Sequence, residues 1–157
     1  TNLVANSFIA FNEFPDQESL IRKDRALLSN ATEEVLRYLS PIQLLFRKAT
    51  ESTEIAGVEI PKGAIVLPIY ASANHDDRVF ETPEKLDVQR KNLKLHTAFG
   101  WGIHMCIGRS LGLLEGELIL SRLFDAFGSI EVTQPSIEWC DAYYLRGPKE
   151  LRVRCSS

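Results

Sequence analysis

The chain has 157 residues, 45% of them hydrophobic and 25% charged, with a net charge of −3. That balance excludes a disordered tail and a membrane-embedded protein, and it offers no basic surface for nucleic acid. The length suits one domain with a sizeable core.

Cys106, Cys140 and Cys155 are too few and too widely spaced for a disulfide framework, which fits a reducing, cytoplasmic setting. No apolar run approaches about 18 residues, so no membrane segment is expected. No signal peptide, internal repeat or low-complexity linker is apparent.

The first predicted element is a helix, because Leu3, Val4, Phe8 and Phe11 recur with a helical period before Pro15. It begins without a cap or lead-in and reads as the second half of a longer helix. Asp16 to Asp24 forms a short polar helix opened by Pro15, whose ring presets φ for a first turn. Asn30 is expected to cap the next helix, Ala31 to Tyr38, which stops ahead of Pro41. Glu34 and Arg37 stand three apart on one face of it; in solvent such a pair contributes about 0.2–0.5 kcal/mol.

Beyond Pro41 the residues become β-like. Ile42 to Arg47 is followed by two apolar runs, around Gly57 and around Pro61-Lys62-Gly63, that read as small hairpins. Arg47 lies among apolar neighbours, where an unpaired cation is costly, so it needs an anion. The segment Ala71 to Phe80 leads through Pro83 into Leu86-Asp87-Val88-Gln89-Arg90. Neither His75 nor His96 has a second metal ligand near it in the sequence, and both read as surface or structural residues.

The stretch that organises the chain is Phe99-Gly100-Trp101-Gly102-Ile103-His104-Met105-Cys106-Ile107-Gly108, directly followed by a helix to about Phe127. Glycines tolerate positive φ and let other groups approach the backbone, so this is a bent loop presenting one sulfur. Unpaired N–H groups at the helix start favour a thiolate. A single such sulfur suits a nucleophile or one axial metal ligand, not a structural zinc site with its roughly four ligands. In the helix, Leu111, Leu114, Leu118, Ile119, Leu123 and Phe124 follow a 3.6 period and are expected to be the buried stripe. Arg109, Glu115, Glu117 and Arg122 fall mostly off it. Gly112 costs the helix about 0.5–1 kcal/mol. From Ser129 to Val153 the chain reads as β-rich, with turns at Gln134-Pro135-Ser136 and Arg146-Gly147-Pro148-Lys149.

The pattern Phe-Gly-x-Gly-x-His-x-Cys-x-Gly resembles the haem-binding loop of the cytochrome P450 superfamily, here of the soluble bacterial or archaeal type. The Glu-x-x-Arg helix and the Leu86–Arg90 segment upstream match the same family. His75 stands where an Ala-Asn-Arg-Asp segment of the family has arginine, a mild departure. The resemblance implies an α+β, mainly helical fold, the C-terminal portion of a cytochrome P450. That portion holds the end of a long central helix, the Glu-x-x-Arg helix, a small β-sheet, the meander, the cysteine loop and the helix after it. Residues 1–157 are then expected to be one haem-binding part, with the N-terminal part of the protein absent from this chain.

The implied cofactor is haem b, iron protoporphyrin IX, with Cys106 as the axial ligand of its iron. Arg47 and His104 would meet the propionates, and Phe99, Gly100 and Gly108 would shape the loop around the sulfur. Glu34, Arg37 and Arg90 would form a buried ion triad that holds the loop. Ile42, Gln43, Leu44 and Leu45, with Tyr144 and Leu145 at a hairpin tip beside Tyr143, would line the substrate pocket. The family's acid–alcohol pair would lie at or before Thr1, so no catalytic residue is assigned within the chain.

The implied function is a monooxygenase that inserts one oxygen atom from O2 into a small organic substrate. No flavin, nicotinamide or iron–sulfur motif occurs, so the implied electron donor is a ferredoxin or a flavin reductase. Arg109, Lys91 and Lys94 would help dock an acidic partner. Two other functions stay open: a peroxygenase or isomerase of the same type, and a non-catalytic P450-like partner protein.

Overall fold

The structure, a computed structural model, describes residues 1–157. Three helices form the scaffold: α1 (Asn2–Glu13), α3 (Leu28–Tyr38) and α5 (Arg109–Ala126), with α2 (Pro15–Lys23) folded back beside α1. Phe8 and Phe11 of α1 interlock with Phe124 of α5 at ring distances of 6.3 and 6.0 Å. Val35 and Ala31 of α3, Ile21 of α2 and the meander residues Leu86 and Val88 complete this core. Burying a large apolar side chain stabilises by about 1.5–3 kcal/mol, so this cluster is the main source of the fold's stability.

The expected cap at Asn30 is corrected. α3 begins at Leu28, and Asn30 lies inside its first turns. The Asn30 amide instead donates to the carbonyls of Val88 and Arg90, at 2.6 and 3.1 Å, and ties the helix to the meander. A distant backbone acceptor took the side chain that a local cap would have used.

The buried stripe of α5 agrees with the expectation only at its C-terminal end. Phe124 is buried and Leu123 packs on the core, whereas Leu111, Leu114, Leu118 and Ile119 are exposed and the helix buries Gly116 and Leu120 in their place. The reason is backbone approach. A Cβ on Gly116 would lie 2.6 Å from Leu3 Cδ2 and 3.1 Å from Thr32 Cγ2, so α1 and α3 come closest where α5 has no side chain.

Strands are short and paired in three small antiparallel ribbons. Strands β2 (Thr53–Ile55) and β3 (Val58–Ile60) form the expected hairpin around Gly57. Its turn residues, Ala56 and Gly57, both have positive φ, which matches the right-handed twist of the strands. The second expected hairpin is corrected: β4 (Ile65–Val66) pairs with β1 (Arg47–Lys48), not with β3. The Pro61-Lys62-Gly63 turn carries the chain across, with Gly63 N–H donating to Ala49 O. The last ribbon joins β5 (Ser129–Val132) to β6 (Val153–Ser156). Between them the chain is held by single bridges, Ile42 with Leu145 and Trp139 with Pro148. No helix is long and apolar enough to cross a membrane.

Candidate functional site

Glu34 and Arg37 leave α3 on the side of the meander. Arg37 Nε lies 2.7 Å from Glu34 Oε2, and Arg90 Nε lies 3.2 Å from Glu34 Oε1. Glu34 and Arg37 are fully buried, and Arg90 nearly so. Arg37 also donates to the carbonyls of Asn74, Pro83 and Lys85, so every guanidinium N–H has an acceptor. Arg90 reaches the carbonyls of Glu81 and Lys85, and Glu34 accepts the Asp87 N–H. The sequence brings these three together through one helix and one coil; the ion pairs and backbone carbonyls around them let charges stay buried.

The cysteine loop is fastened to this base through Asn74, which follows the short helix α4 (Tyr70–Ala73). The Asn74 Oδ1 accepts the Thr97 N–H at 2.6 Å, and its amide donates to the Ser40 hydroxyl at 2.7 Å. Sequence reading missed this residue, because its role depends on partners far apart in the chain.

Beyond Thr97 the backbone bends at Gly100 and Gly102, with φ of +72° and +67°. A side chain at either position would be strained, which is why this loop needs two glycines. Cys106 N–H donates to Phe99 O at 2.9 Å, closing the loop on itself. Cys106 is exposed and lines a cleft of about 310 Å3 with Leu36, Pro41, Ile42, Leu45, Tyr70, Ala98, Phe99, Gly100 and His104. The amides of Ile107 and Gly108 donate to no other group, which leaves them open toward a sulfur anion. Gly108 has an ordinary φ of −85°; a Cβ there would stand 3.8 Å from the Cys106 sulfur.

Arg47 was expected to need an anion. In the structure its guanidinium donates to Phe46 O and to the Tyr70 hydroxyl, at 2.9 and 3.2 Å, with no carboxylate beside it. Tyr70, which sequence reading passed over, thereby joins Arg47 to the wall of the cleft. His104 lies on the same wall without a hydrogen bond of its own.

The candidate substrate residues divide. Ile42 and Leu45 line the Cys106 cleft. Gln43 is a correction: its amide donates to Ser40 O beside a separate cavity that also holds Tyr38, His75 and Arg146, and that local acceptor turns the side chain away from the Cys106 cleft. Leu44 bridges to Ile69, Leu145 bridges to Ile42, and Tyr144 O accepts the Gln43 N–H. None of these three lines the cleft. Thr1, Leu3 and Gly112 line an adjoining cleft of about 370 Å3 that shares Leu36, Pro41 and Phe99 with the first.

Arg109, read as a docking cation, instead donates to Glu33 at 2.6 Å. Glu33 Oε2 also lies 2.5 Å from His96 Nε2, so His96 is a buried, partnered residue. Burial raises the Glu33 carboxyl, but the His96 hydrogen bond and the charge of Arg109 hold it below its ordinary value. Lys91 and Lys94 are engaged in no ion pair.

An exposed thiol facing an apolar cleft, open amides around the sulfur and a cation at the rim fit a flat, partly anionic metallocycle. The donor set is one sulfur, the chemistry of a single axial ligand. The sequence profile described as Cytochrome P450 matches residues 10–150. The 6-deoxyerythronolide B hydroxylase of Saccharopolyspora erythraea is 42% identical over 142 residues, 89% of this chain and 35% of that protein. The cyclomarin C epoxidase CymV of Salinispora arenicola is 35% identical over 98% of this chain and 38% of its own length. The crystal structure of CYP109E1 from Bacillus megaterium with testosterone superposes with a TM-score of 0.94 at 33% identity, covering 99% of this chain and 43% of that one. The chain thus spans well under half of the proteins it matches.

Proposed function

The chain belongs to the cytochrome P450 family, and from that premise we propose that residues 1–157 are the C-terminal, haem-binding part of a monooxygenase. The complete protein inserts one oxygen atom of O2 into a small, largely apolar organic substrate. The single observation that carries this reading is Cys106, whose sulfur faces the apolar cleft from a loop bent by two left-handed glycines.

When bound, haem b supplies the oxygen chemistry, because a thiolate ligand pushes electron density onto its iron and favours O–O cleavage. Cys106 would hold that iron. Arg47, steadied by Tyr70, and His104 would neutralise the propionates. Phe99, whose carbonyl receives the Cys106 N–H, would shield the sulfur, and the open amides of Ile107 and Gly108 would lower the cost of its charge. Ile42 and Leu45 exclude water from the cleft and give it a preference for apolar substrate surface. Glu34, Arg37 and Arg90 fix the floor on which the loop rests. Electrons come from an external ferredoxin or flavin reductase, for which Lys91 and Lys94 remain available as docking charges. The free cysteines and the absence of disulfides suit the cytoplasm.

The test is the spectrum of the reduced, carbon monoxide-bound complete protein, beside its Cys106→Ala variant. Thiolate ligation gives the strongly red-shifted band in the first and its loss in the second. A haem-replete wild type without that band overturns the reading.

A further inference from the structure

Glu33 and Glu34 are adjacent on α3, and successive helical residues point about 100° apart. Glu34 faces the meander, whereas Glu33 faces the cysteine loop. Its two oxygens take different partners: Oε2 meets His96 Nε2 at 2.5 Å, and Oε1 meets Arg109 at 2.6 Å. His96 precedes Cys106 in the chain and Arg109 follows it. One carboxylate therefore joins both flanks of the loop that carries the sulfur.

The hydrogen bonds also assign the state of His96. Its Nδ1 accepts the Ala98 N–H at 3.1 Å, and a ring nitrogen that accepts carries no proton. The ring is then the neutral tautomer, with Nε2–H donating to Glu33. Both partners of Glu33 press on one ring. His96 stands 6.0 Å from the Phe99 centroid, and the Arg109 guanidinium stands 5.7 Å from it. The carbonyl of that same Phe99 receives the Cys106 N–H.

We infer that Glu33 is a positioning residue for Cys106, acting through His96 and Arg109 to hold Phe99 and the two loop flanks in register with the sulfur. The inference rests on the haem-thiolate reading above. Glu33 touches neither the sulfur nor the cleft beside it; its effect is on how firmly the sulfur keeps its place. Partners of this kind typically change ligand binding by about 10–100-fold when removed.

The experiment uses the complete, haem-loaded protein as wild type, Glu33→Gln, His96→Gln and His96→Phe. Three quantities are read: haem per polypeptide, the red-shifted band of the reduced carbon monoxide complex, and the rate at which mild warming converts it to the shorter-wavelength form. Glu33→Gln is expected to bind haem in full, because the Glu34 triad is intact, yet to lose the thiolate band about tenfold faster. His96→Phe should match it, while His96→Gln, whose amide still donates to Glu33, should stay near the wild-type rate. A wild-type rate in Glu33→Gln, or equal rates in the two His96 variants, overturns the inference. If Glu33→Gln does not accumulate, Arg109→Gln reads the same bridge from its half-exposed end, and an unchanged rate there overturns it equally. A wild type without the band brings down the haem-thiolate reading itself, a separate and recognisable failure.

Discussion

The two sides of α3 are built on opposite plans. On the meander side, Glu34, Arg37 and Arg90 are buried, and all five guanidinium N–H groups of Arg37 find acceptors. On the loop side, Ile103 and Ile107 stand almost wholly in the open, and the amides of Ile107 and Gly108 bond to nothing. Rigid, satisfied polar contacts on one side allow unsatisfied groups to be displayed on the other. The loop closes on itself through the Cys106 N–H and Phe99 O, and Asn74 and Glu33 fasten its two flanks to the base.

The contrast can be broken first at the base. Glu34→Gln leaves Arg37 and Arg90 as buried charges without an anion and should cost about 3–5 kcal/mol of unfolding free energy, read by urea denaturation. A loss below about 1 kcal/mol would mean that the base is no more rigid than the loop.

The helix seam gives the next effect, through two glycines one turn apart. Gly116→Ala forces a methyl into Leu3 and Thr32 and should cost about 1–3 kcal/mol by overpacking. Gly112→Ala meets nothing nearer than Phe99 Cε1 at 4.0 Å and should gain about 0.5–1 kcal/mol in helix propensity. Equal responses at the two sites would remove the distinction between packed and open faces of α5.

A smaller effect is set by pH. Burial and the Glu13 carboxylate push the Tyr38 hydroxyl from 10.0 up to about 12. The folded state therefore favours the protonated phenol, so this stability is full below pH about 10 and is lost as pH rises towards 12. Tyr38→Phe should flatten stability against pH in that window; an unchanged slope would show that Tyr38 is not the group responsible. Smallest of all, Ile103→Ser should leave unfolding free energy within about 0.5 kcal/mol of the original, because the side chain touches almost nothing. A loss of several kcal/mol there would mean that the loop supports itself.

Much of this was legible in the residues. The glycine-framed cysteine, the helix after it and the Glu34–Arg37 spacing are short-range patterns, and short-range patterns dictate backbone conformation directly. Asn30 was misread as a cap because its amide could serve the helix start or a carbonyl 58 residues away, and sequence does not rank the two. His96 was read as a surface or structural residue and Arg109 as a docking cation, because their common partner, Glu33, lies 63 and 76 residues off in the chain.

By itself the sequence determined which backbone could bend, at Gly100 and Gly102, and which atom that bend would offer, the sulfur of Cys106. Tertiary structure alone decided which apolar face of α5 is buried, which way Gln43 turns and which charges meet. Local conformation follows from sterics within a few bonds, whereas packing and pairing depend on how near two distant backbones come, and here a missing Cβ at Gly116 set that distance.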